Sequence, residues 1–223
     1  MGIYLFSVAI LDTLTGCSNY STFYLNVVSE LPHAISGILS ANNNPVGGLI
    51  QIFRRDNASY AIASTAQVDS TGSFKFNRLP ENTYVLRAIP NNEQSGLLPT
   101  YYDKAEVWNA ATIVDLNANI NNLSVEFLEI PEMAVGNCTI AGTIEVSDSN
   151  LFSPQLKTDV LISIPVYLLQ DGKIVAYGMT DNNGNYSIEN LPEGNYEVYV
   201  ELPGYKKSTV GVAVEQGATQ TVN

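Results

Sequence analysis

Val68-Asp69-Ser70-Thr71-Gly72-Ser73-Phe74-Lys75-Phe76-Asn77-Arg78-Leu79-Pro80-Glu81-Asn82-Thr83-Tyr84-Val85 recurs 112 residues downstream. The second copy reads Thr180-Asp181-Asn182-Asn183-Gly184-Asn185-Tyr186-Ser187-Ile188-Glu189-Asn190-Leu191-Pro192-Glu193-Gly194-Asn195-Tyr196-Glu197. The shared skeleton is Asp-x-x-Gly-x-aromatic-x-apolar-x-x-Leu-Pro-Glu-x-x-Tyr. Upstream, Ile35-Ser36-Gly37 answers Ile140-Ala141-Gly142. A repeat of this spacing marks two units of one architecture. Within a copy the apolar residues alternate. Tyr186 and Ile188 share one face, and Tyr196, Val198 and Val200 another, which is the period of a half-buried strand. Asp171-Gly172, the Asp181–Gly184 run and Leu191-Pro192-Glu193-Gly194 are turn signals, because Gly accepts positive φ and Asp and Asn bond their own backbone. Short strands between such turns, with no helical period longer than two turns, predict an all-β chain of two tandem β-sandwiches.

Composition agrees and excludes several function classes. The chain has 223 residues, 45% hydrophobic and only 14% charged, against roughly 25% charged in an average soluble protein. That argues against intrinsic disorder and against a coiled coil. Twenty-three Asn carry much of the polar surface. The net charge is −12, and no run of Lys or Arg exceeds two. Nucleic-acid binding needs a basic face, so it is disfavoured. A single His, His33, excludes a multi-histidine metal site and any Ser-His-Asp triad not built on it. His33, beside Pro32, is expected in a solvated linker. Cys17 and Cys138 are too far apart for a zinc spacing, and a bridge between them stays open. No cofactor and no enzymatic activity are expected. Acidic pairs such as Glu126/Glu129 and Asp103/Glu106 fall on surfaces with nothing to set them across a cleft.

The order Ile-x-Gly, Pro-Val-Tyr, Asp-x-x-Gly-x-aromatic, Leu-Pro-x-Gly-x-Tyr and Pro-Gly-Tyr resembles the carboxypeptidase regulatory-like domain, grouped with transthyretin-like and collagen-adhesin B-type repeats. The resemblance implies seven-stranded prealbumin-like (immunoglobulin-like) sandwiches in a secreted or cell-surface protein, and the Leu98-Pro99-Thr100-Tyr101-Tyr102 stretch with Trp108 resembles an element of secreted modular bacterial proteins of Bacteroidetes type. It places one copy at 34–130, with an insertion at 91–115, and the second at 137–223. A short linker near 129–136, stiffened by Pro131, joins them. Collagen-adhesin relatives often join a first-strand Lys to a last-strand Asn as an isopeptide. Neither first strand here contains Lys, so no such bond is expected.

Residues 1–30 read as an N-terminal β-hairpin, similar to the closing hairpin of a polycystic-kidney-disease-type or immunoglobulin-like domain. A hairpin is marginal by itself, so it implies a neighbouring domain. The competing reading is a lipobox, Leu14-Thr15-Gly16-Cys17, which would make the chain an outer-membrane lipoprotein anchored at Cys17. The missing Lys or Arg before it and Asp12 within it oppose that. No segment reaches the ~18 apolar residues of a membrane span.

Two features remain as candidate sites. Tyr101, Tyr102 and Trp108 in the insertion would make a sugar-stacking platform if exposed. Buried, they would cap the open end of the first sandwich. Asp181, Asn183 and Asn185 offer oxygens to calcium, although one carboxylate per loop makes an Asx-turn the simpler role for Asp181 and for its counterpart Asp69. The sequence thus predicts a non-enzymatic spacer or adhesion module. Its partners would be neighbouring domains of the same polypeptide, and a surface protein or polysaccharide. The alternatives are a carbohydrate-binding module built on the Trp108 loop and the Cys17-anchored lipoprotein.

Overall fold

A computed structural model describes residues 2–11, 18–27, 32–56, 59–93, 95–145, 163–205 and 208–223. Its first two strands, β1 (Gly2–Leu11) and β2 (Ser18–Val27), pair antiparallel over their whole length as a separate two-stranded sheet. This is the expected hairpin.

The first sandwich begins with β3 (His33–Ala41), β4 (Asn44–Pro45), β5 (Gly48–Asp56), β6 (Ser59–Val68), β7 (Ser73–Leu79) and β8 (Asn82–Pro90). The insertion adds β9 (Leu97–Leu98), β10 (Thr100–Tyr101) and a single 3-10 turn, Trp108–Ala110. Then come β11 (Val114–Leu116), β12 (Ile120–Glu126) and β13 (Leu128–Glu129). One sheet runs β10-β8-β5-β6, with β11 also on β8. In the other, β3 sits between β7 and β12, and β12 runs parallel to it.

The second sandwich repeats this plan. Its strands are β14 (Cys138–Thr143), β15 (Pro165–Gln170), β16 (Lys173–Met179), β17 (Asn185–Leu191), β18 (Gly194–Val200), β19 (Thr209–Val214) and β20 (Thr219–Thr221). One sheet is β16-β15-β18-β19. The other is β17-β14-β20, again with the last strand parallel to the first.

Each motif of the repeat has a physical reason. Ile35, Ile52, Phe74, Phe76, Leu79 and Tyr84 fill one core, and Ile140, Val166, Leu168, Tyr186, Ile188, Leu191 and Tyr196 the other. The Gly of Ile-x-Gly sits where the parallel last strand crosses closest. A Cβ on Gly37 would stand 1.9 Å from the Leu123 carbonyl oxygen, and one on Gly142 1.8 Å from that of Val222. The Tyr of Leu-Pro-Glu-x-x-Tyr is buried with its hydroxyl donating backwards: Tyr84 to the Pro80 carbonyl at 2.8 Å, Tyr196 to that of Pro192 at 2.9 Å. Such a bond satisfies the one polar atom of an otherwise apolar ring and fixes the turn.

His33 departs from expectation. It lies in β3 opposite Leu79, and its side chain, 13% exposed, places Nε2 3.3 Å from Glu81 Oε1. It is a strand residue and not a solvated linker residue, because β3 starts before the first apolar position of the motif.

Candidate functional site

The candidate site grows out of β8. Tyr84, Leu86 and Ala88 point into the first core, so the alternation sends Val85, Arg87 and Ile89 to the outer face of the sheet. That face would ordinarily meet water. Here all three are buried, with Arg87 only 1% exposed.

The insertion supplies the first cover. Tyr101, 0% exposed, packs with Phe53, Val85 and Ala105, and Trp108 lies against the same cluster. The Trp108 and Tyr60 rings approach to 5.3 Å between centroids. The aromatic loop therefore lies on the flank of the β5–β8 sheet. It does not cap the open end of the sandwich, the position expected of it, because β10 and β11 both pair with β8 and hold the loop alongside that sheet.

The second sandwich supplies the rest. The outer face of its β15–β18 sheet carries Tyr167, Leu169, Tyr177 and Tyr199, which cluster with Leu98, Leu128 and Ile130 of the first unit. Tyr167 packs against Tyr177 and Tyr199 at 6.4 and 6.0 Å between centroids, and its hydroxyl donates to the Pro99 carbonyl at 3.1 Å.

At the centre of this junction Arg87 spends all five of its N–H donors. Nε and Nη2 donate to Gln51 Oε1 at 3.1 and 2.7 Å. Nη1 donates to the Tyr101 hydroxyl and the Glu201 carbonyl, both at 3.3 Å, and Nη2 to the Ser163 carbonyl at 3.1 Å. The guanidinium also lies 5.1 Å from the Phe53 ring centroid and 5.9 Å from that of Tyr101, a cation–π arrangement.

Glu201, fully buried, is the anionic counterpart. Its Oε1 accepts the Trp108 backbone N–H at 2.7 Å, and its Oε2 accepts the Tyr199 hydroxyl. Burial holds its carboxyl above the usual range. The hydrogen bonds from Tyr199 and Trp108 and the charge of Arg87 pull the other way without overcoming it. The Trp108 indole Nε1 donates to the Tyr205 carbonyl at 3.0 Å, a further direct bond between the insertion and the second sandwich. A perturbed buried carboxylate is a common mark of catalysis. Here it has no solvent approach, and its partners are three hydrogen-bond donors (Trp108, Tyr199 and Tyr101) and one cation, so the arrangement binds two surfaces together.

The sequence-derived residues divide accordingly. Tyr101 has no exposed face. Trp108 is half-buried with its N–H engaged, and Tyr102 is half-buried against the first core. Asp103 and Asn109 are exposed beside them, and Lys104 pairs with Glu126 at 2.7 Å. Asp181 Oδ1 accepts the backbone N–H groups of Asn183 and Asn185 at 2.8 and 2.9 Å, and Oδ2 accepts Asn185 Nδ2 at 3.1 Å. Those bonds, led by the Asn185 side chain, lower its pKa. Asp69 repeats the turn through the Thr71 hydroxyl and N–H. Among the described residues no group of three or more His, Cys, Asp or Glu gathers as a metal site. Cys138 is buried as a free thiol whose Sγ lies 3.2 Å from the Glu215 carbonyl. Cys17 lies outside the described residues. Arg87, Gln51, Tyr199 and Glu201 were not singled out in the sequence. The available signal was Arg87 itself, a cation in a strand whose outer-face neighbours, Val85 and Ile89, are both apolar.

Comparison with known proteins finds a family match in the second unit. Residues 157–223 match the carboxypeptidase regulatory-like domain. The chain is 25% identical over 183 residues to serine-aspartate repeat-containing protein D of Staphylococcus aureus, covering 78% of this chain and 13% of that protein. It is 26% identical over 175 residues to serine-aspartate repeat-containing protein F of Staphylococcus epidermidis, covering 75% and 10%. The chain thus spans only 13% and 10% of the length of these two curated relatives. Among solved structures, a streptococcal ancillary pilin aligns with 98% of this chain and 73% of its own, at 15% identity and a TM-score of 0.33. The carboxypeptidase regulatory-like match begins within 146–162, which lie outside the described residues, and runs to Asn223. No helix in the described residues is long and apolar enough to cross a membrane.

Proposed function

We propose that this chain is a non-enzymatic structural module of a secreted or cell-surface multidomain protein. Two carboxypeptidase regulatory-like sandwiches, 34–130 with its insertion 91–115 and 137–223, act in it as one stiff unit. The hairpin at 1–30 belongs to a preceding immunoglobulin-like domain. The observation that carries this reading is the use of Trp108: both its N–H groups are donated to the second sandwich. An insertion built to bind sugar would keep its rings open to solvent and set polar groups beside them. Tyr101 is instead buried against Arg87. The matches to long, repeat-containing proteins of staphylococci support a module that connects other domains.

Small-angle scattering of the whole chain, with residual dipolar couplings in both sandwiches, tests this. A single alignment tensor for the two units is expected. Independent tensors, or retention on insoluble polysaccharide that Trp108→Ala abolishes without loss of stability, would overturn it.

A further inference from the structure

Where the two sandwiches meet, the junction leaves an open groove of about 760 Å³. Its walls come from the loop after β8, the linker 130–135 and the facing edges of β16 and β17. The volume lies within the ~300–1,000 Å³ range of pockets that hold small ligands or several side chains.

Its chemistry is one-sided. Ile130, Val135 and Val175 give it an apolar surface, and Glu93, Glu132 and Glu189 contribute three carboxylates. Among the described residues lining it there is no lysine or arginine. Glu93 belongs to the first unit, yet its carboxylate accepts the backbone N–H of Met179 on β16, which fixes one carboxylate across the seam. Val135, in the linker, is 87% exposed on the rim, so an apolar contact is open to an incoming chain. Apolar walls with anionic edges suit a side chain with a hydrocarbon stem and a cationic head, which buries the one and presents the other.

We propose that this junction groove docks an extended segment of a neighbouring protein that carries lysine or arginine side chains. The proposal rests on the stiff-junction reading, since the groove exists only while both sandwiches keep this arrangement. Attraction to the whole acidic surface would be diffuse. Docking in the groove is saturable and local, and is weakened by salt because Glu132 and Glu189 are exposed to solvent.

The test is an NMR titration of the full chain with acetyl-Lys-Val-Lys-Val-Lys-amide and with its neutral analogue, acetyl-Gln-Val-Gln-Val-Gln-amide. Saturable shifts are expected at Met133, Val135, Val175 and Ile188 with the cationic peptide alone. The double variant E93Q/E189Q, altered at two exposed positions, should bind about tenfold more weakly, the effect of two partly exposed ion pairs. Shifts spread over the acidic surface, equal binding of the neutral peptide, or no shifts at millimolar peptide would each overturn the groove. Dipolar couplings on the same sample separate the two readings. One shared tensor without peptide binding refutes the groove alone, and independent tensors refute the stiff junction and the groove with it.

Discussion

Replacing Glu201 by Ala should uncouple the two sandwiches while leaving each folded. The side chain is fully buried and holds four groups in place: the Trp108 N–H, the Tyr199 and Tyr101 hydroxyls and, electrostatically, Arg87. Each hydrogen bond to a charged acceptor is worth about 1.5–3 kcal/mol. Removing one partner of a buried charged set costs about 3–5 kcal/mol, because the other charge stays buried without compensation. These overlap and do not add, so the expected loss is about 3–5 kcal/mol. It falls on the junction, since Glu201 belongs to neither hydrophobic core. Glu201→Gln keeps an acceptor for Trp108 but puts an NH2 group where Tyr199 donates and removes the charge, so about 2 kcal/mol is expected.

Trp108 is the chain's single tryptophan and sits in this junction, so its fluorescence reports the joint while far-UV circular dichroism reports the sandwiches. In guanidinium the two signals should coincide for the native chain. In Glu201→Ala the fluorescence transition should move to lower denaturant, ahead of the circular dichroism. Combining the change with Arg87→Met should give a loss smaller than the sum of the single losses, by about 1 kcal/mol or more. Coincident transitions at an unchanged midpoint in Glu201→Ala, or strict additivity, would refute a junction held by this pair.

The remaining expectations follow from other parts of the fold. Gly37→Ala and Gly142→Ala both drive a Cβ into a carbonyl oxygen, but Gly37 faces β12, which buries Leu123 and Val125, whereas Gly142 faces Val222, which follows the short, largely exposed β20 and is only partly buried. Urea unfolding should therefore show about 3–5 kcal/mol lost for Gly37→Ala and about 1–2 kcal/mol for Gly142→Ala; equal losses would contradict the packing account. Stability should depend on pH with opposing contributions. The raised pKa of Glu201 means the native state binds more protons than the unfolded one between the ordinary carboxylate range and its native value, so stability falls as pH rises through that window. Asp69 and Asp181, both lowered, add stability above the ordinary Asp range that is lost on acidification through their native values. Melting temperature should thus peak on the acid side of neutrality, and Glu201→Gln should flatten the fall towards neutral pH; a profile identical to the native one would contradict this. Calcium should not be needed, because the Asp181 carboxylate is already engaged by Asn183 and Asn185. An upward melting shift in millimolar calcium relative to EDTA would reverse that assignment.

The sandwiches were legible in the sequence because each rests on relations within one repeat. Period-two alternation reports which side of a strand is buried, and Tyr186, Ile188, Tyr196 and Val198, read that way, lie in the second core. Asp-x-x-Gly and Leu-Pro-Glu-x-x-Tyr report local turns, whose hydrogen bonds span four residues or fewer. The junction depends on something a repeat cannot encode, namely how one copy differs from the other. In the register of the repeat Arg87 corresponds to Tyr199 and Ile89 to Glu201. The charged members of the joint therefore stand where the other copy has an aromatic or an aliphatic residue. His33 was misplaced for a related reason: the strand extends one step past its last apolar signal, and a polar residue at that end reads as linker. Two identical sandwiches would offer each other identical outer faces, with no reason to meet in one orientation. The insertion at 91–115 breaks the symmetry by laying Tyr101 and Trp108 over the first sheet, which turns an ordinary outer face into a cationic, aromatic socket for Glu201 and Tyr199. The part of the chain that departs from the repeat is thus the part that sets how the repeats are joined.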